Sequence, residues 1–196
     1  MTKVVVLAGS PRTGGNTEKL LAGFLRGAED AGGEVHKITV AELEIEGWTS
    51  EVQCAEDGRH QAGDDFDRVS QELVAADVIV VASPVYFRNV PAQLKALIDR
   101  SQCQWIRKYV EKKPLPPSST GHERRRGVFL SVGGNDHEHF RGAKETIRSF
   151  FDVYEIDYWG ELLFGGLDAQ GDADEQPRAF QEAYDLGFRT VAETWE

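Results

Sequence analysis

The chain has 196 residues, of which 40% are hydrophobic, so it is long and apolar enough for one domain with a sizeable core and is not disordered. A net charge of -11 and a pI near 5.0 argue against nucleic acid or an anionic membrane as the main partner. With no apolar run of ~20 residues, no signal-peptide pattern and only two cysteines, which provide no disulfide framework, we expect a cytoplasmic protein.

The first predicted element is a buried strand, Val4–Ala8, which leads into the glycine-rich loop Gly9–Thr17 and an amphipathic helix. The first N–H groups of a helix are unpaired and its dipole is positive there, so this arrangement favours a phosphate. Polar groups that could assist are those of Ser10, Arg12, Asn16 and Thr17. The alternative is an ordinary strand-to-helix turn, which the same residue types also build.

The loop matches neither common nucleotide fingerprint. In a P-loop, Lys follows the last glycine, and Gly15 stands at that position here. The dinucleotide fingerprint needs a glycine where this chain has Pro11, which has no N–H for a pyrophosphate. A single phosphomonoester is therefore the expected ligand of this loop.

The next predicted elements are a strand at Glu34–Thr39 and a helix at about Asp65–Ala75. The residues between them, Glu44–Phe66, include Cys54 and several acidic side chains, most of which we expect in a solvated loop and a helix start. The acidic residues in and just after this segment are Glu51, Glu56, Asp57, Asp64, Asp65 and Asp67.

A third strand, Asp77–Ala82, is followed by an aromatic loop and a helix at about Pro91–Ser101. Such a loop can line the edge of a flat heteroaromatic ring and pair its backbone with the ring's polar rim. The alternative for its aromatic residues is a place in the core or in a subunit interface. The candidate ring-binding residues are Pro84, Val85, Tyr86, Phe87 and Asn89.

The remaining segments complete an alternation of strands and helices. Residues 102–126 form a longer connection, and its basic stretch 123–126 is either a solvated strand entrance or a site for the phosphate of a nicotinamide cofactor. The strand Gly127–Leu130 is followed by Ser131, Gly133 and Gly134, whose backbone could approach a ring closely. The last predicted elements are a helix at about His137–Asp152, a strand at Ile156–Phe164 and a helix at about Asp174–Thr194.

Five strands separated by helices predict one domain over residues 1–196, an α/β doubly wound sandwich with a parallel sheet covered on both faces. Strand order 2-1-3-4-5 would bring the first, third and fourth loops together at the switch point, where such folds bind ligands. No metal site is predicted, because the Asp136, His137 and His139 group is more typical of helix capping. The acidic residues of 168–175 lack the spacing of a calcium loop.

Three motifs carry a resemblance to a known group: GSPRTGGNT, SPVYFRNVPAQLKALIDR and SVGG. In order and spacing they resemble the flavodoxin-like NAD(P)H-dependent FMN reductases and iron-sulfur flavoproteins, over nearly the whole chain. The resemblance implies FMN with NAD(P)H as co-substrate, and a homodimer or homotetramer. It assigns the phosphate to the first loop, where Gly15 lies beside the four polar residues, and the flavin ring to the second and third motifs.

The chain departs from the iron-sulfur members in its cysteines. Those proteins carry a compact cysteine cluster where this chain has only Cys54, and Cys103 lies in another segment. Two cysteines cannot supply the four thiolates of a normal cluster. We therefore expect a member without the cluster.

The predicted function is that of an FMN-dependent oxidoreductase that takes hydride from NAD(P)H and reduces a small acceptor, such as a flavin, a quinone or another electrophile. The flavin carries out such chemistry, so no catalytic side chain is predicted. A flavodoxin-type electron carrier with a protein redox partner is the main alternative, and a flavin-binding regulatory protein without turnover is a third. For the assembly, we expect a second subunit to cover Tyr86, Phe87, Trp105 and Tyr109.

Overall fold

The computed structural model describes residues 1–49, 54, 63–134 and 137–195. Its five parallel strands lie in the order β2-β1-β3-β4-β5, which confirms the predicted flavodoxin-like sandwich. The strands are β1 Lys3–Ala8, β2 Glu34–Thr39, β3 Val78–Pro84, β4 Arg125–Val132 and β5 Ile156–Phe164. The α-helices are α1 Asn16–Asp30, α2 Phe66–Ala75, α3 Ala92–Arg100, α4 Gln102–Trp105, α5 Arg141–Val153 and α6 Pro177–Ala192.

The sheet has a buried apolar layer on each face. Along β1, Val5 and Leu7 belong to the layer beneath α2, α3 and α5, whereas Val4 and Val6 belong to the layer beneath α1 and α6. Because both faces of β1, β3 and β4 are covered, their sequences are continuous apolar runs and do not alternate. No helix in the described part of the chain is long and apolar enough to cross a membrane.

Helices α1 and α6 approach so closely that glycine is required at their contact. A Cβ built on Gly27 would lie 2.0 Å from the carbonyl oxygen of Tyr184, and one on Gly187 would lie 2.1 Å from that of Phe24. Both atoms belong to backbone, which cannot move aside as a flexible side chain can. The helical spacing of the apolar residues predicted the two helices but not their close approach.

The basic stretch at 123–126 is mainly structural, which differs from both sequence interpretations. β4 begins at Arg125, two residues before the predicted strand, and Arg125 and Arg126 are buried. Arg125 donates to the carbonyl oxygens of Val74 and Pro116, at 2.6 and 2.8 Å. Arg126 donates to the carbonyl oxygen of Thr190, in the last turn of α6, and to those of Glu193 and Thr194 just after the helix. The last carbonyl groups of a helix have no partner within it. These guanidinium groups therefore join helix ends to the sheet.

One residue of the predicted solvated segment is instead half of a buried ion pair. The Arg100 guanidinium is fully buried and donates to both carboxylate oxygens of Asp64, at 2.5 and 3.1 Å, and to the carbonyl oxygen of Glu46 at 2.8 Å. Burial raises the pKa of the Asp64 carboxyl, but hydrogen bonds from Arg100 and from the backbone N–H groups of Glu46 and Phe66 outweigh it, so the pKa lies below its usual value. Glu51, Glu56 and Asp57 lie outside the described residues.

The two cysteines, 49 residues apart in sequence, form a disulfide. Sequence spacing alone did not indicate this pairing, because the fold is needed to bring Cys54 to the buried Cys103 on α4. Both sulfur atoms are bonded to each other, so neither is a thiolate available to a metal. In the part of the chain that the structure describes, no group of three His, Cys, Asp or Glu side chains could hold a metal ion; Asp136 lies outside that part.

Candidate cofactor site

A cleft opens where the carboxyl ends of the strands meet, and it encloses about 510 Å³ including its open mouth. Register explains the meeting, since Ala8 pairs with Ala82, and Pro84 with Val132. The cleft brings together all but three of the sequence-predicted site residues. Those that line it are Ser10, Arg12, Gly15, Asn16, Thr17, Pro84, Val85, Tyr86, Gly133 and Gly134.

One end of the cleft is the N-terminus of α1. Gly15 precedes the helix in extended conformation and provides no side-chain cap. Among the described residues, the backbone N–H groups of Gly15, Asn16 and Thr17 have no acceptor. Arg12 is exposed beside them, and its guanidinium has no carboxylate partner in the described chain. Free N–H groups, a helix dipole and a cation together suit a phosphate.

Asn16 has a structural role that the sequence analysis did not anticipate. Its side-chain NH₂ donates to the carbonyl oxygen of Ala169 at 2.8 Å, and its Oδ1 accepts from the N–H groups of Gly171 and Ala173 at 3.2 Å. The side chain thus fastens the loop after β5 to the start of α1. What Asn16 can offer a phosphate is its backbone N–H.

Glu18 is the acidic residue in the first turn of α1, and its carboxylate is occupied by two donors of the chain. Its carboxylate accepts from the N–H of Gly14 at 2.5 Å and from the ammonium group of Lys37 at 3.2 Å. The bond from Gly14 is the main reason why the pKa of Glu18 lies below its usual value. In the first turn, this negative charge is also stabilised by the helix dipole.

The other end of the cleft is the aromatic loop after β3. Most of its backbone N–H groups are already paired: Val85 donates to Val132 at 3.1 Å, and Tyr86 and Asn89 donate to each other's carbonyl groups at 2.7 and 2.9 Å. On the β4 side, the N–H of Gly133 donates to Phe164. The N–H groups left without an acceptor in the described chain are those of Phe87, Arg88 and Gly134.

The three predicted residues that do not line the cleft have other positions. Ser131 is fully buried and donates its hydroxyl to the carbonyl oxygen of Ser83 at 2.6 Å, which ties β4 to β3. The Asn89 side chain accepts from the N–H of Val90 at 2.8 Å. The Phe87 side chain is fully exposed at the mouth.

A fifth loop completes the cleft, and sequence analysis missed it. Leu167, Asp168 and Gln170 of this loop line the cleft, and so does Val132 at the end of β4. The N–H of Leu167 donates to the carbonyl oxygen of Gly133 at 3.1 Å, so this loop is joined to the β4 loop. The predicted strand order could have indicated this loop. Because β5 lies next to β4 and parallel to it, the carboxyl ends of both strands lie at the same end of the sheet, where the cleft opens.

These features fit FMN. The uncapped start of α1 with Arg12 suits the phosphate, and the wall formed by Val85, Tyr86 and Gly133 suits a flat ring. The fold and this cleft define a flavodoxin-like flavoprotein.

Comparison with known proteins identifies the family. The model of the NADPH-dependent FMN reductase family matches residues 2–154, and the chain belongs to that family. Over 192 residues it is 32% identical to an iron-sulfur flavoprotein of Methanosarcina thermophila, covering 98% of this chain and 91% of that protein. Over 113 residues it is 34% identical to an FMN-dependent NADH:quinone oxidoreductase of Polaromonas naphthalenivorans, covering 55% of this chain and 49% of that protein.

A solved NAD(P)H:quinone oxidoreductase from Methanothermobacter marburgensis shares the fold, with a TM-score of 0.69, 17% identity and 99% of both chains covered. Membership of the family makes this protein an oxidoreductase that uses FMN as cofactor and NAD(P)H as co-substrate. It is a member without the cluster cysteines, because its sequence contains only two cysteines and a normal cluster needs four thiolates.

Proposed function

We propose that the protein transfers two electrons from NAD(P)H to a small electrophilic acceptor such as a quinone or a free flavin. The observation that carries the proposal is the cleft itself, with phosphate-binding groups at one end and an open mouth at the other. An open mouth lets a nicotinamide and then a small acceptor reach the same ring. The family and the quinone-reducing relative support this class of acceptor.

In this proposal, the chain's residues bind and orient. Arg12, Ser10 and the free N–H groups at the start of α1 hold the phosphate, and the walls after β3 and β4 hold the ring. Bound FMN supplies the hydride chemistry. Of Phe87, Arg88 and Gly134, whose N–H groups are unpaired in the described chain, Gly134 lines the cleft, and its N–H is the available donor for the ring's polar rim.

No side chain is assigned a catalytic role. The titratable side chains that line the described cleft are Arg12, Tyr86 and Asp168. A hydride carries both electrons, so its transfer needs no side chain to move a proton, and the acceptor can take its proton from water at the open mouth. Positioning is therefore the contribution that we propose for the protein.

Stopped-flow reduction of the FMN-loaded protein by NADH and by NADPH tests this function. We expect rapid loss of flavin absorbance with at least one dinucleotide, followed by reoxidation with a quinone or free flavin. Slow reduction by both, with tightly held FMN, would instead support the electron carrier. If the flavin is rapidly reduced but no small acceptor reoxidises it, the proposed class of acceptor would be wrong, and the reduction by NAD(P)H would stand.

For the assembly, we propose a homodimer or homotetramer. Trp105 and Tyr109 pack against each other, with ring centroids 5.6 Å apart, and remain partly exposed next to the exposed Val110. A second subunit would remove this apolar patch from water. Light scattering at micromolar concentration should give a multiple of 21.8 kDa, and a mass matching one chain would contradict the proposal.

We also propose one domain over residues 1–196 and a cytoplasmic location. In a reducing compartment the Cys54–Cys103 pair would be present largely as thiols, since structural disulfides are rare there. Thiol trapping in freshly lysed cells should therefore label both cysteines. A pair that stays unlabelled until a reductant is added would point to an oxidising location. Iron and acid-labile sulfide should remain at background in anaerobically prepared protein.

A further inference from the structure

The turn at the mouth of the cleft has an unusual combination of shape and sequence. Tyr86 and Asn89 exchange both backbone hydrogen bonds, and the two residues between them, Phe87 and Arg88, have φ angles of 49° and 64°. Positive φ at both central positions is the mark of a type I′ turn, which favours Asn, Asp and Gly. Phenylalanine and arginine are strained in this conformation.

The surrounding structure holds the turn in place. A Cβ built on Gly142, at the start of α5, would lie only 2.4 Å from the carbonyl oxygen of Arg88, so the helix and the turn are in direct backbone contact. On its other side, the N–H of Val85 is bonded to β4. A strained turn that is packed in this way persists because its neighbours leave it no relaxed alternative.

Both side chains of the turn face solvent. The Phe87 ring is fully exposed, and Arg88 is exposed with no acidic partner among the described residues. The neighbouring Tyr86 lines the cleft, so the ring and the cation stand at its mouth. Strain and an exposed aromatic ring both disfavour this arrangement in the chain alone, which points to a partner that covers it. The turn lies against the start of α5, whereas Tyr109 of the proposed subunit interface is bonded to Asp152 at the other end of that helix, so we assign the partner of Phe87 to a ligand of the cleft.

We propose that Phe87 and Arg88 bind the pyridine dinucleotide, an inference that rests on the proposed function. Arg88 pairs with a phosphate group, and Phe87 stacks on a flat base of the same molecule. A chain of net charge -11 repels a polyanion, and an unpaired guanidinium at the mouth offsets that repulsion locally. The phosphate is either the pyrophosphate, common to NADH and NADPH, or the 2′-phosphate of NADPH.

The test uses the FMN-loaded protein and Arg88→Gly, a substitution that relaxes the turn while removing the cation. The melting temperature should stay the same or rise by about 1–4 °C, because glycine adopts positive φ freely. The KM for the dinucleotide should rise about 10-fold with little change in kcat, since a charge-assisted hydrogen bond is lost. Calorimetric binding of tetrahydro-NADPH, an unreactive analogue, should weaken by the same factor.

Two further variants sharpen the assignment. Arg88→Lys keeps a charge but not the planar fork, so it should recover part of the affinity. Phe87→Asn, which suits the turn, should raise KM a few-fold through loss of stacking. A rise in KM for both dinucleotides indicates the pyrophosphate, and a rise for NADPH alone indicates the 2′-phosphate.

Lys112→Gly is the matched control. Lys112 is also an exposed cation at positive φ, 57°. It lies in the connection that leads to the amino end of β4, whereas the cleft opens at the carboxyl ends of the strands. It should leave KM unchanged. Wild-type KM and analogue affinity in Arg88→Gly, with an active wild-type enzyme, would overturn this inference alone. A wild type that neither dinucleotide reduces would overturn the proposed function and this inference with it.

Discussion

The α1–α6 interface and the mouth of the cleft differ in how well residue type matches local geometry. Where the two helices touch, glycines occupy the positions at which a Cβ would strike backbone. At the mouth, Phe87 and Arg88 occupy positions at which glycine would relieve strain. Residue type thus suits the backbone geometry at the helix contact, where only packing is needed, and does not suit it at the proposed binding site. This difference is expected when a binding site reduces stability in order to serve function.

Charged groups also differ between the packed body of the protein and the cleft. In the body of the protein, the buried Arg100 is paired with Asp64. At the cleft, Arg12 and Arg88 have no carboxylate partner among the described residues, and the start of α1 has no cap. Substitutions in the first region should therefore reduce the stability of the fold, and those in the second should reduce ligand binding.

The largest effect is expected from Asp64→Asn. It leaves the fully buried Arg100 guanidinium without its counter-charge, and breaking a buried pair in this way costs about 3–5 kcal/mol. Chemical denaturation should show the loss as a lower midpoint. An unchanged midpoint would mean that Arg100 contributes no buried charge to the fold.

The same pair predicts a pH dependence. Because the pKa of Asp64 is lower in the folded protein than its ordinary value of 3.8, its contribution is complete well above that value. The contribution is lost as pH falls below about 4 and through the lower folded pKa. Wild type should therefore lose stability more steeply than Asp64→Asn across this acid range, and parallel curves would contradict the assignment.

Gly27→Ala should come next. The added methyl group would lie 2.0 Å from a backbone oxygen of α6, and forcing the helices apart should cost about 3 kcal/mol. For a domain of this size, the melting temperature should fall by about 6–12 °C. Gly47→Ala is the control, because its Cβ would meet nothing within 4 Å and its melting temperature should barely change.

Arg12→Ala should leave the stability of the cofactor-free protein unchanged and weaken FMN binding about 10- to 100-fold, or roughly 1.5–3 kcal/mol. Riboflavin, which lacks the phosphate, should be nearly indifferent. Fluorescence titration with both ligands measures the difference, and Arg26→Ala, on the exposed face of α1, controls for loss of charge. Equal losses for FMN and riboflavin would remove Arg12 from the phosphate site.

The smallest effect is expected from Gly142→Ala. Its methyl group would lie 2.4 Å from the carbonyl oxygen of Arg88 and would push the packed turn out of place. Only this one contact is overpacked and no pair of helices is separated, so the cost should be about 1 kcal/mol, at the low end for overpacking. A displaced turn should also raise the KM for the dinucleotide. Unchanged kinetics together with a lower melting temperature would show that the position of the turn is unimportant for binding.

Much of the fold was predictable because the required signals are local. Continuous apolar runs marked the strands, helical spacing marked the helices, and their alternation implied the 2-1-3-4-5 sheet. The glycine-rich loop and the aromatic loop were predictable as loops that line one cleft, because each directly follows a buried parallel strand. The last helix begins at Pro177, three residues after the predicted start, because a short 3-10 helix occupies Asp172–Glu175.

By itself, the sequence determined the class of fold, the loops that meet at the switch point and the family to which the chain belongs. Only the tertiary structure decided how individual polar groups are used: Asn16 binds the loop after β5, Arg100 is paired with Asp64, and Cys54 is bonded to Cys103. Secondary structure follows from the periodicity of neighbouring residues, whereas a hydrogen bond or a disulfide depends on which distant atoms the fold brings within a few ångströms.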